Sequence, residues 1–251
     1  MKFSVYQPPA ARHGRVPALY FLAGLTCTEE TFMIKAGAHR LASELGLMLV
    51  ACDTSPRDLN IPGDADHWDF GVGAGFYVDA TQAPWAQHYR MGSYVDLELP
   101  ELVEAHFPAT MERRGIFGHS MGGHGALVTA LRSPERWTSV SAFAPISNPS
   151  AAPWGKKAFT NYLGADPSRW VDYDASLLIR KKPRRGTLLV DQGTADQFLQ
   201  RELHPQALSE AAKASGQLLQ LRMQRHYDHS YWFIQSFIAD HLQHHAKALL
   251  G

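Results

Sequence analysis

The sequence predicts one α/β domain, a mostly parallel sheet flanked by helices and interrupted by two loop insertions. Short apolar runs alternate with longer stretches of helical periodicity, as parallel strands covered by helices require. The 251 residues, 45% of them hydrophobic, can fill one large core. No repeat, low-complexity tract or linker divides the chain.

The elements follow in order. Phe3–Tyr6 is a weak first strand, stopped by Pro8 and Pro9, and Val16–Leu22 is a continuous apolar run suited to a doubly covered strand. A helix is predicted over 31–45 and a strand over 47–51. Residues 54–89 carry Pro56, Pro62, Pro84 and four glycines among large aromatics, which predicts a long irregular excursion with a functional role. Then come a helix over 93–107, a strand over 115–117, a helix over 121–131 and a strand over 139–144. A second excursion spans 145–185 with a helix near 156–163. The chain closes with a strand at 187–190, a helix at 202–214, a strand at 218–223 and the helix Tyr231–Leu250.

Composition excludes several classes. Lysine plus arginine number 24 and aspartate plus glutamate 24, so there is no electrostatic footprint for nucleic acid or an anionic membrane surface. Mean hydropathy is -0.24, and no apolar run approaches the ~20 residues of a membrane span. The apolar stretch after Met1 is too short for a secretory signal. Cys27 and Cys52 do not make a disulfide framework, and a reducing cytoplasm is the simplest setting.

Gly118-His119-Ser120-Met121-Gly122 matches Gly-x-Ser-x-Gly, between a short apolar strand and a helix. That context predicts a strained turn that lifts the Ser120 hydroxyl to a helix N-terminus, with no room for side chains at 118 and 122. A merely structural glycine turn with a helix-capping serine is the weaker reading. Serine needs a base, and the base needs an acid; in such sites the chain order is serine, acid, histidine. After the strand at 187–190, Asp196 lies in a loop from which it can reach the site, whereas Asp191 sits at the strand's end. After the strand at 218–223, spacing alone prefers His229 to His226 and leaves both open. Oxyanion donors are expected from the amide of Met121, next to the nucleophile, and from Leu25, in the Gly24-led loop after Val16–Leu22.

Two other patterns carry less. His241, His244 and His245 have helical spacing, but a solvated helix face is a better reading than a metal clip. Gly71-Val72-Gly73-Ala74-Gly75 does not join a strand to a helix, so a nucleotide-binding turn is rejected.

Taken together, several segments resemble the S-formylglutathione hydrolase (esterase D) family. They are Gly24-Leu25-Thr26-Cys27-Thr28, Trp68-Asp69-Phe70-Gly71, Gly73-Ala74-Gly75-Phe76-Tyr77 and the run from His119 to Leu127. Pro153-Trp154-Gly155-Lys156-Lys157-Ala158-Phe159, Gly193-Thr194-Ala195-Asp196-Gln197-Phe198 and Tyr227-Asp228-His229-Ser230-Tyr231 complete the set, in the family's order. The resemblance implies an α/β-hydrolase fold, a triad of Ser120, Asp196 and His229, and oxyanion donors at Leu25 and Met121. It implies cleavage of a small-molecule thioester, S-formylglutathione, to formate and glutathione, with no cofactor or metal, by a cytoplasmic homodimer. Trp154 is a candidate pocket wall, and Cys52 corresponds to a cysteine the family places near the nucleophile. Arg57, Asp69, Lys156 and Lys157 lie in the insertions, where they could meet the charged ends of glutathione or simply be solvated surface. A broad carboxylesterase, an acyltransferase and a non-catalytic binding module are the competing functions; the filled triad argues against the last.

Two departures from the family are visible. A further segment usually precedes the strand that here holds Phe3–Tyr6, so less cover is expected at that sheet edge. Gly92 stands where a bulkier residue is usual.

Overall fold

A computed structural model describes all residues, Met1–Gly251. Its strands are β1 (Phe3–Tyr6), β2 (Val16–Leu22), β3 (Met48–Cys52), β4 (Ala109–His119), β5 (Ser139–Phe143), β6 (Leu188–Gly193) and β7 (Leu219–Gln224). They form one seven-stranded sheet in the order β1-β3-β2-β4-β5-β6-β7. Every pairing is parallel except β1 with β3. Strands β2, β3 and β5 are buried at every position, which is why their sequences are apolar or small throughout. After β2 the chain builds β3 on one side and then crosses back to build β4 on the other. The loops leaving β2 and β4 therefore start side by side at the C-terminal edge of the sheet, where ligands bind in open α/β folds.

The helices are α1 (Glu29–Lys35), α2 (His39–Leu45), α3 (Met91–Ser93), α4 (Leu99–His106), α5 (Met121–Arg132), α6 (Pro153–Leu163), α7 (Ala175–Lys181), α8 (Pro205–Ser215) and α9 (Tyr231–Leu250). The single helix expected over 31–45 is two, because Gly37 turns the chain at φ +67. Between α3 and α4 the helix widens by one residue, with Leu99 N–H donating to Tyr94 O. Strand β4 starts well before the expected residue 115, since exposed Met111, Glu112 and Arg113 interrupt its apolar pattern. Helix α8 starts at Pro205 rather than 202, where proline's missing N–H costs nothing.

The stretch 54–89 is irregular, with isolated bridges and one short turn of helix (Trp85–Gln87). Tyr162 of α6 ties it to the second insertion. Its hydroxyl donates to Ala74 O at 2.9 Å and accepts from Gly71 N at 3.1 Å, while its carbonyl accepts from Thr81 N at 2.7 Å. Its ring stacks on Phe70 and Tyr89 with centroids 4.8 and 5.5 Å apart. Gly92 is closely packed: a Cβ there would meet Asp79 Oδ1 and Tyr77 O at 3.2 Å.

Helix α9 departs from its expected solvated face. His241 and His245 are fully buried against β5, where a chain of hydrogen bonds runs Ser139–His245–Ser141–His241–Asp191. Asp191 is also held by Arg222 and Gln224 of β7. A polar seam thus stitches α9 to three strands, and burial of its histidines lowers their proton affinity.

Candidate active site

Ser120 sits between β4 and α5 at φ 57, ψ -119, a conformation that L-residues rarely adopt. The turn is fixed from both sides: Ser120 N donates to Phe143 O at 2.9 Å, and Ser120 O accepts from His124 N at 3.0 Å. A Cβ at Gly118 would lie 2.2 Å from Gly122 O, and one at Gly122 would lie 1.9 Å from Leu22 O. Only glycine fits at either position, as the pentapeptide predicts. His124, one turn into α5, donates through Nε2 to Phe76 O at 3.0 Å, and burial pushes its ring down to about 4. Nothing in the local sequence marks that bond, because its partner lies in the first insertion.

Asp196 is reached after β6. A Cβ at Gly193 would lie 2.3 Å from Tyr227 O, so glycine lets the loops after β6 and β7 touch. Thr194 N–H donates to Gln224 O and Ala195 N–H to Tyr227 O, both at 2.9 Å, and Thr194 Oγ1 accepts from His226 N at 2.9 Å. The two loops are thereby clasped. His229 Nδ1 lies 2.5 Å from Asp196 Oδ2, and Asp196 Oδ1 accepts from Phe198 N at 2.8 Å. With Nδ1–H bound to the carboxylate, Nε2 is the nitrogen left free to act as a base. His226, the other histidine considered, donates only its backbone N–H to this clasp, while Asp191 belongs to the seam under α9.

Ser120 and His229 share a cleft of about 230 Å³ with Gly24, Leu25, Cys27, Trp68, His119, Trp154, Phe198, Ser230 and Tyr231. Trp154 lies edge-on to Trp68 at 5.5 Å and near Phe198 at 4.8 Å, so it does form part of the wall. Its place is set by Glu202, whose Oε2 accepts from Trp154 N at 2.9 Å. Cys52 does not line this cleft. It is fully buried at the end of β3, where burial pushes its thiol up to about 12, and Cys27 is the thiol in the wall. The resemblance put Cys52 near the nucleophile; the structure corrects this, because β3 ends inside the core and the loop after β2 carries Cys27 to the cleft instead.

The loop after β2 passes directly over Ser120: a Cβ at Gly24 would lie 3.2 Å from Ser120 Cβ. The next amide, Leu25 N–H, makes no hydrogen bond within the protein, and Met121 N–H is at the first residue of α5, where helices leave donors free. His119 packs against His229 with ring centroids 4.4 Å apart. Burial, and then the nearness of His229, hold it neutral.

Two of the charged candidates in the insertions pair with each other, Lys157 Nζ with Asp69 Oδ1 at 2.6 Å, and Arg57 pairs with Asp53 at 2.7 Å. None of the four lines the cleft, whose wall carries no charged lysine, arginine or carboxylate side chain. No group of histidine, cysteine and carboxylate side chains is arranged to hold a metal ion.

A family model described as "Putative esterase" matches residues 1–244. A protein from Bos taurus named S-formylglutathione hydrolase is 54% identical over 251 residues, covering 99% of this chain and 89% of that one. One of the same name from Paracoccus denitrificans is 54% identical over 249 residues, covering 99% and 88%. Among solved structures, an S-formylglutathione hydrolase from Agrobacterium tumefaciens superposes with a TM-score of 0.96 at 51% identity, covering 98% of this chain and 89% of that chain. A Staphylococcus aureus serine hydrolase at 18% identity and TM-score 0.75 shares the fold.

Proposed function

The chain belongs to the esterase family, in its S-formylglutathione hydrolase branch, and from that premise we propose that it cleaves S-formylglutathione to formate and glutathione with Ser120, His229 and Asp196 as its triad. The observation that carries the assignment of roles is the Asp196–His229 hydrogen bond of 2.5 Å, made from behind the cleft wall that holds both His229 and Ser120.

The steps follow from this arrangement. His229 Nε2 takes the hydroxyl proton as Ser120 Oγ attacks the thioester carbonyl carbon. Asp196 holds the ring in the required tautomer and stabilises the imidazolium. The oxyanion is received by the amides of Leu25 and Met121, at the positive end of α5. The C–S bond then breaks, and His229 returns the proton to the departing glutathione sulfur. Water, activated by the same imidazole, attacks the formyl-serine and releases formate. Trp154, Phe198 and Trp68 leave a small apolar cleft, which suits the smallest acyl group. No hydrogen-bonding cofactor or metal is needed for any step. Two free cysteines fit a reducing cytoplasm, and no helix is long and apolar enough to cross a membrane. A homodimer completes the proposal; sedimentation would test it.

One observation favours a second reading. The uncharged cleft wall gives no anchor for the ends of glutathione, as a general small-acyl esterase would have it. Comparing kcat/KM for S-formylglutathione and p-nitrophenyl acetate decides between them. A thioester preference of several orders of magnitude is expected; equal rates, or an ester preference, would leave only the general esterase. Ser120→Ala should lower kcat by at least about 10⁴-fold in a folded protein.

A further inference from the structure

Gln192 lies in β6, fully buried, one turn of loop away from Asp196. Its amide nitrogen is 3.2 Å from Asp196 Oδ2 and 3.1 Å from the Gly193 carbonyl oxygen. Both neighbours are acceptors, so the nitrogen and not the oxygen must face them. The price is that Gln192 Oε1 is buried with no partner. Packing alone would favour an apolar side chain of the same length at this position. The polar side chain makes sense through what its N–H touches: the same carboxylate oxygen that receives His229 Nδ1.

Resting on the triad assigned above, we propose that Gln192 is a positioning residue for the hydrolysis, fixing the rotation of the Asp196 carboxylate and sharing the charge on Oδ2. Phe198 N–H holds Oδ1, Gln192 and His229 hold Oδ2, and the carboxylate has no freedom to turn away from the imidazole. Without the amide, the negative charge falls more heavily on His229, which then holds its proton to higher pH. The orientation of the base also loosens. Gln192 touches no part of the cleft, so substrate binding is unaffected.

Three variants test this by pH profiles of kcat and kcat/KM. Gln192→Met keeps the length and removes the donor; kcat should fall about 10-fold, with KM unchanged and the acid limb of kcat/KM moved to higher pH. Gln192→Glu can share one proton with Asp196, because two buried carboxylates in contact do not both ionise. It should therefore retain more activity than Gln192→Met near neutral pH and lose it on the alkaline side as the shared proton leaves. A role in packing alone predicts the reverse order, with Gln192→Met like wild type and Gln192→Glu impaired, and that result overturns the proposal. Should Gln192→Met not fold, an alkaline limb in Gln192→Glu identical to wild type overturns it equally. Asp196→Asn separates the two levels. If it is inactive while Gln192→Met keeps the wild-type profile, only the role of Gln192 falls; if Asp196→Asn stays active, the assignment of the acid falls and takes Gln192 with it.

Discussion

Single residues were readable where chemistry forces spacing. Ser120 between two glycines, an acid after β6 and a histidine after β7 follow from what acyl transfer needs, but spacing left His226 and His229 both open, and only the family resemblance singled out His229 beside Asp196. Residues whose role depends on burial could not be read in that way. Cys27 and Cys52 have the same chemistry in sequence, and only the fold puts one in the cleft wall and the other in the core. A small uncharged maleimide should therefore inactivate the protein through Cys27. The Cys27→Ala variant should resist it and Cys52→Ala should remain sensitive, as followed by residual activity and mass of the labelled peptide. Labelling of Cys52 with loss of activity would contradict this. Gln192 was equally silent, since its meaning lies in a contact four residues ahead across a turn.

At the scale of elements, the parallel sheet and most helices were legible because their periodicities are long and unbroken. The failures share one cause: a local irregularity that tertiary contacts stabilise. Gly37 divides α1 from α2, one exposed gap at residues 111–113 cuts the buried start of β4 off from its apolar run, and the histidines of α9 look like a polar face while pairing with β5. The first insertion shows what holds an irregular segment in place. Tyr162→Phe would leave Gly71 N and Ala74 O without their partner, at a cost of about 1–3 kcal/mol. A urea melt should show that loss, and because Gly71 closely follows Trp68 of the cleft wall, KM should rise with it. An unchanged melting midpoint would mean that the hydroxyl adds nothing to the aromatic contacts, the Thr81–Tyr162 backbone bond and the Lys157–Asp69 pair that also join the two insertions.

Across the whole molecule, burial of histidines sets the response to acid. His119, His124, His241 and His245 are all buried and held neutral, chiefly because burial penalises the charged ring. In the unfolded chain each takes up a proton near pH ~6.5. Below that pH the unfolded state binds more protons than the folded one, so stability is full above neutrality and falls as pH drops through the unfolded value. The urea midpoint should therefore decline between pH ~7.5 and ~5. A variant carrying His241→Gln and His245→Gln should decline less steeply, whatever its absolute stability. An equal slope would show that carboxylates, not these rings, govern the acid response.

The order of strands has one more consequence. Ser120 follows β4 in the middle of the sheet, but the base proposed for it, His229, is on the loop after β7, the outermost strand on that side, just ahead of α9. Strand β7 can pair only with β6, and α9 can lie down only on a finished β5. During synthesis on the ribosome, then, a chain that has already formed its nucleophile turn still lacks the means to use it. With the proposed triad, hydrolysis should begin only when the last segment docks, so that the first turnover of a nascent molecule would mark the completion of its folding. Refolding could thus be timed by product formation, with no label attached.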